Sequence, residues 1–223
     1  MDDETIRTNI LDKLTFEPGL LATDIIVFVK DGIATLSGRV RSYAEKHLAE
    51  EAVKNVRGVK AIAEELIVDL NTSLQRNDAA IAEAIAHAFE WDVAIIPPEK
   101  IKVVVENGNV ELTGEVDDYY QKERATKCIR YLYGIKNIFN RITLKPPKSN
   151  INPKNISKEI MREFQRNASI DARNIVVEVD GSKVTLKGKI RSWVEKREAE
   201  KAAWSVAGVS SVKDELILSF IQN

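Results

Sequence analysis

Residues able to do chemistry are few in this chain, and they are scattered. There are two histidines and one cysteine among 223 residues. His47 lies among Glu45, Lys46, Glu50 and Glu51, which reads as a solvated helix surface. His87 has no second histidine or cysteine at metal-ligand spacing, so no metal site is expected. No G-x-S-x-G turn is present to present a nucleophilic serine. Glycines sit singly, so no phosphate-cradling loop forms. Carboxylates recur four residues from lysines, the pattern of helix ion pairs. The reading is not an enzyme, with no cofactor. Binding chemistry remains. Thr185, Lys187, Lys189 and Arg191 alternate along one segment, while Glu111, Thr113, Glu115 and Asp117 alternate along another. A period of two places each set on one face of a strand.

The elements that hold these residues come from a threefold internal repeat. Gly32, Gly38 and Gly58 recur as Gly108, Gly114 and Gly134, and again as Gly181, Gly188 and Gly208. The second and third glycines are 20 residues apart each time. Val40, Tyr43 and Lys46 answer to Val116, Tyr119 and Lys122, then to Ile190, Trp193 and Lys196. A period of about 75 residues exceeds the 20–50 of solenoid units, so each copy is expected to be a small cored domain. The expected domains span 1–70, 76–145 and 152–221. Cys128 aligns with Ala52 and Ala202, which marks it as a small apolar core residue.

In the third copy, Ile156, Ile160 and Phe164 give a first helix. Ile175, Val177 and Val179 give a strand, and Asp180-Gly181 turns a hairpin. Val184, Leu186 and Ile190 continue as a second strand with Gly188 inside it, which suggests a bulge or a close backbone approach. Ser192 caps a second helix that runs through Val206 to a left-handed stop at Gly208. Val209, Val212, Leu216 and Leu218 form a third strand, parallel to the second through a right-handed crossover. The fold class is α+β: three tandem αββαβ domains, each a mixed three-stranded sheet with two helices on one face. The linkers are Asn71–Asn77 and a stiff stretch holding Pro146, Pro147 and Pro153.

The third copy reads Val177-Glu178-Val179-Asp180-Gly181-Ser182-Lys183-Val184-Thr185-Leu186-Lys187-Gly188-Lys189-Ile190, then Gly208-Val209-Ser210-Ser211-Val212. One extra residue lies between its first two glycines. This frame resembles the BON domain (bacterial OsmY and nodulation), and the likeness covers nearly the whole chain in three copies. The resemblance implies a non-enzymatic, bacterial, OsmY-like protein linked to transport, osmotic stress and phospholipid binding. It supplies no catalytic residues.

Net charge is −1, which excludes a global attraction to nucleic acid. It divides unevenly: residues 1–70 carry −4, residues 71–145 carry −1 and residues 146–223 carry +4. Lys187, Lys189 and Arg191 are therefore candidates for anionic lipid or an acidic partner. Ile26 and Phe28 point opposite to Val27 and Val29, so the first sheet has a partly apolar outer face, expected to be covered by another domain or protomer. Trp91, before Val93, Ala94, Ile95, Ile96, Pro97 and Pro98, fits a membrane interface or packs on its own domain. Tyr120 lacks an aromatic counterpart and is the expected exposed ring, while Tyr43, Tyr119 and Trp193 share a helix-start position. The leading partner is anionic phospholipid at the membrane periphery. The alternative is an oligomeric scaffold whose sheet faces bind other proteins or other copies, as a homo-oligomer. No segment approaches the ~20 apolar residues of a membrane span. No signal peptide is read at the N-terminus, so the expected location is cytoplasmic, or periplasmic if a leader is removed.

Overall fold

The computed structural model describes residues 1–70, 76–95, 98–146 and 152–219. The apolar loop at Ile96–Pro97 and parts of both linkers (71–75 and 147–151) lie outside them. The chain divides into two compact units, Met1–Thr143 and Leu144–Asn223.

The first repeat shows how sequence becomes structure. Helix α1 (Asp3–Thr15) begins where the Asp2 carboxylate accepts a hydrogen bond from the Thr5 N–H at 2.7 Å. Ile6, Ile10 and Leu14 fall on one side of it and are fully buried. Strand β1 (Ile25–Lys30) pairs antiparallel with β2 (Ile33–Val40), with Val27 opposite Leu36. Asp31 and Gly32 between them both have positive φ, 54° and 79°, the type I′ turn that matches strand twist. The Asp3 carboxylate then grips that turn, accepting from the N–H groups of Asp31 and Gly32 at 2.7 and 2.9 Å. Helix α2 (Tyr43–Lys54) crosses over to β3 (Ala61–Val68), which lies parallel to β2. Both helices and the inward-facing strand residues close one core around Ile10, Leu14, Leu36 and Val53.

The second repeat follows the same order: α3 (Asp78–Trp91), β4 (Ile101–Glu106), β5 (Asn109–Val116) and α4 (Tyr119–Ile129). Its third strand is broken into β6 (Asn137–Asn140) and β7 (Thr143–Leu144), both paired with β5. Asp78 repeats the turn clamp, accepting from Asn107 and Gly108 at 2.7 and 2.9 Å. The third repeat comprises α5 (Pro153–Arg166), β8 (Ile175–Asp180), β9 (Lys183–Ile190), α6 (Trp193–Trp204) and β10 (Ser211–Leu218). Strands β8 and β9 are antiparallel, and β9 and β10 parallel. Its core gathers Ile156, Ile160, Phe164, Leu186 and Ala199. The mixed three-stranded sheet with its two helices is thus present as the repeat foretold.

Two local expectations are corrected. The third hairpin turns at Gly181-Ser182 rather than at Asp180-Gly181, because Asp180 pairs with Lys183; the extra residue between its glycines reflects a glycine one place earlier, not a longer turn. Gly181 has φ 58° and stands where Asp31 stands in the first copy, whereas Ser182 is not among the positive-φ residues. A type II′ turn needs positive φ only at its first central position, so the glycine moves forward by one. Helix α6 stops at Trp204 rather than running to Gly208. In the first copy a Cβ at Gly58 would lie 2.8 Å from Ile6 Cδ1, so this glycine admits the first helix. The glycine inside β2 has a related reason. A Cβ on Gly38 would sit 2.0 Å from the Asp24 carbonyl oxygen, and Gly114 and Gly188 meet Lys100 and Asn174 the same way.

Candidate binding surfaces

The outer face of each sheet, away from the helices, is built by strand alternation. In the first repeat, Ile26 and Phe28 on β1 lie opposite Ser37 and Thr35 on β2, and those lie beside Glu65 and Ala63 on β3. Ile26 is 66% exposed and Phe28 60%, with Ile33 and Ile67 also exposed on the same sheet. In the second repeat, Val104, Glu111 and Phe139 make one cross-strand row, and Arg141 stands 3.7 Å from Glu111.

In the third repeat the row is Val176, Lys187 and Glu215. The Lys187 ammonium donates to Glu178 at 2.7 Å and stands 3.9 Å from Glu215. Those carboxylates hold the Lys187 ammonium above its ordinary range, chiefly through the Glu178 hydrogen bond. Arg191 lies beyond the end of β9 and is drawn to the buried Glu195 at 3.4 Å. Lys189 is exposed, beside the exposed Ile217. Of the three basic residues, Lys187 and Arg191 thus have carboxylate neighbours within the repeat. Neighbouring strands, invisible in a one-strand reading, interleave acids among them.

Trp91 and Val93 are set outward by what happens between them. Asp92 is buried, and the Arg124 guanidinium donates to it at 2.6 Å. Asp92 also accepts from the Ala94 N–H at 3.0 Å, and Ile95 is buried. With Asp92 and Ile95 turned inward, Trp91 and Val93 are left 85% and 86% exposed. The same helix-end position in the first repeat is Phe16, 82% exposed, and in the third it is Arg166. Tyr120 is exposed in the first turn of α4, as expected.

Polar groups inside the repeats are structural. Lys46 pairs with Glu64 at 2.9 Å, and Lys196 with Asp214 at 2.5 Å. Lys196 also sits 5.3 Å from the centre of the Trp193 ring. In the second repeat the acid is replaced by Asn140, whose amide donates to the Lys122 carbonyl and the Thr126 hydroxyl. Burial alone then pushes the Lys122 ammonium below its ordinary range. His47 is half-buried rather than solvated, and burial, assisted by Arg130, lowers its pKa. Cys128 is half-buried, donates to the Ala125 carbonyl at 3.4 Å and has its thiol pushed up to about 11 by burial. Such a thiol is inert at neutral pH.

Among the described residues, no cluster of histidine, cysteine and carboxylate side chains could hold a metal, and no helix is long and apolar enough to cross a membrane. The grooves are shallow clefts between the two helix ends of a repeat, lined in the first by Asp12, Phe16, Val56 and Arg57 and in the third by Arg166, Glu198 and Lys201. The clamps at Asp3 and Asp78 carry no signal in the sequence beyond an acid in the first turn of a helix. The exposed cations of α5 recur every four residues, a helical spacing that strand alternation does not display.

The BON domain model matches residues 2–69, 77–146 and 152–219. Osmotically-inducible protein Y of Escherichia coli is 30% identical over 149 residues, covering 65% of this chain and 74% of that protein. Among solved structures, CdsD, a structural protein of the type III secretion system of Chlamydia trachomatis, is 14% identical. The match covers 96% of this chain and 92% of CdsD with a TM-score of 0.29, from which nothing about this chain follows.

Proposed function

The chain belongs to the BON domain family, and from that premise we propose that it is a non-enzymatic, stress-associated protein that attaches to anionic phospholipid at the membrane periphery. The observation that carries this reading is the outward pair Trp91 and Val93. Two large apolar side chains held in water beside a pinned, buried Asp92 suit the boundary between headgroups and acyl chains, where tryptophan is enriched. The name of the osmotically inducible relative supports the link to stress. Single sites of this kind bind weakly, and tandem linkage raises their combined affinity.

Co-sedimentation with phosphatidylglycerol-containing vesicles at low salt tests the proposal. Pelleting of the wild-type chain, reduced about tenfold or more by Trp91→Ser, is the expected result. A chain that stays in the supernatant with every vesicle composition ends this reading. A second reading, an oligomeric scaffold, draws on the exposed Ile26, Phe28, Ile33 and Ile67 of the first outer sheet face. Light scattering separates the two: an oligomer whose mass grows with concentration and ignores vesicles favours the scaffold.

A further inference from the structure

One lysine recurs in the second helix of every repeat: Lys46 on α2, Lys122 on α4 and Lys196 on α6. In two repeats an acid on the last strand meets it. Glu64, in register with Leu36, holds Lys46 at 2.9 Å, and Asp214, in register with Leu186, holds Lys196 at 2.5 Å. The residue at that station in the second repeat, in register with Leu112, is Asn140. All three side chains spend one oxygen alike, accepting the N–H two residues on, from Leu66, Ile142 and Leu216. They differ in what is left over. Glu64 and Asp214 give their second oxygen to the lysine. The Asn140 amide donates instead, to the Lys122 carbonyl at 2.7 Å and the Thr126 hydroxyl at 2.8 Å. Lys122 is half-buried, and among the described residues nothing holds its ammonium by a hydrogen bond or an ion pair.

We propose that Lys122, the one copy of this lysine whose strand acid is replaced by an amide, is an acylation site that takes small activated acyl donors of the acyl phosphate class. Burial without a counter-charge favours the neutral amine, and a desolvated lysine with a free lone pair is a nucleophile. Its Nζ attacks the acyl carbon and a C–N bond forms. The C–O bond to phosphate breaks, phosphate leaves with the electron pair, and the surplus proton on nitrogen passes to solvent. The product amide is uncharged, so acylation removes a half-buried cation that has no partner. At Lys46 and Lys196 the same step first needs a proton taken from an ammonium that a carboxylate stabilises. Cys128 on the same helix does not compete, because burial pushes its thiol up to about 11. The position is also a contact position: Lys46 donates across to Asn137 of the second repeat at 3.1 Å. An acyl group on Lys122 therefore marks the second repeat's counterpart of the face by which the first repeat holds its neighbour.

The full-length chain is treated with acetyl phosphate between about pH 7 and pH 10, and acetylation of each lysine is timed by peptide mass spectrometry. Lys122 is expected to react about tenfold faster than Lys46 or Lys196, and faster than the exposed Lys189, with a rate that levels off at lower pH than that of Lys189. The Lys46 and Lys196 side chains are 16% and 24% exposed, so shelter alone does not separate three half-buried lysines. Asn140→Asp returns the missing carboxylate and keeps an oxygen for the Ile142 N–H. It is expected to slow Lys122 about tenfold and leave Lys189 unchanged, with circular dichroism checking the fold. Should that variant fail to fold, the wild-type rates and their pH profile decide alone. A wild-type Lys122 no faster than Lys46 and Lys196, or slower than Lys189 at neutral pH, overturns the proposal. So does a folded Asn140→Asp chain whose Lys122 reacts as fast as before.

Discussion

His47 lies on α2 with the Tyr43 ring stacked 6.4 Å away and Arg130 of the second repeat bearing on it electrostatically. Burial disfavours the imidazolium, and Arg130 adds to that, while Glu50 and Glu51 oppose it and Lys54 supports it. The folded pKa is therefore lower than the unfolded value. At pH above about 6.5 neither state holds the proton, so the site is silent. As pH falls below that value, the unfolded chain binds the proton first, and stability is lost until the folded site also titrates. Melting of the first unit is expected to weaken between pH 7 and pH 5, and a His47→Gln variant should flatten that dependence. Identical pH profiles for the two proteins would show that His47 is solvated after all. The sequence could not reveal this burial. Its neighbours Glu45, Lys46, Glu50 and Glu51 describe a charged helix, and the Arg130 charge that bears on it comes from another repeat.

At the scale of elements, repetition made the architecture readable. One glycine inside one strand is ambiguous, but three in the same frame imply a shared steric demand. That demand is the carbonyl oxygen preceding the first strand, 2.0 Å from the Cβ that Gly38, Gly114 or Gly188 would carry. A backbone neighbour cannot rotate away, and φ at these positions is 119–133°. Gly188→Ala is expected to cost about 3 kcal/mol or more of the third repeat's stability, the range of severe backbone strain. Gly181→Ala makes the contrast. No atom lies within 4 Å of its Cβ, so only the left-handed turn opposes it, at about 1–2 kcal/mol. Urea unfolding of the two variants checks the ranking, and equal losses would contradict it. The helix starts were legible for a related reason: Ser42, Asp118 and Ser192 each accept from the N–H three residues on. The third hairpin was misread because its glycine moved by one position when the turn changed from type I′ to type II′. The carboxylates beside Lys187 were not legible, because Glu178 and Glu215 come from neighbouring strands and a single strand does not display them.

At the scale of the whole molecule, three repeats do not make three equal bodies. Tyr133 of the second repeat packs on the first repeat's core, and the Lys46 ammonium donates to Asn137 at 3.1 Å as well as pairing with Glu64. A domain of about 70 residues buries only roughly 60% of its unfolded surface and is marginal alone. Sharing apolar surface is therefore expected to bind the first two repeats into one cooperative unit. Calorimetry of the intact chain should resolve two transitions, one for Met1–Thr143 and one for Leu144–Asn223. Tyr133→Ala removes a partly buried ring and is expected to cost the first unit about 1–2 kcal/mol, less than a fully buried aromatic. More telling, it should split that unit's transition, because the loss falls on the contact that couples the repeats. The transition of Leu144–Asn223 should keep its temperature. One transition for the whole chain, or a Tyr133→Ala shift spread equally over both, would mean that cooperativity extends beyond the packing of this ring.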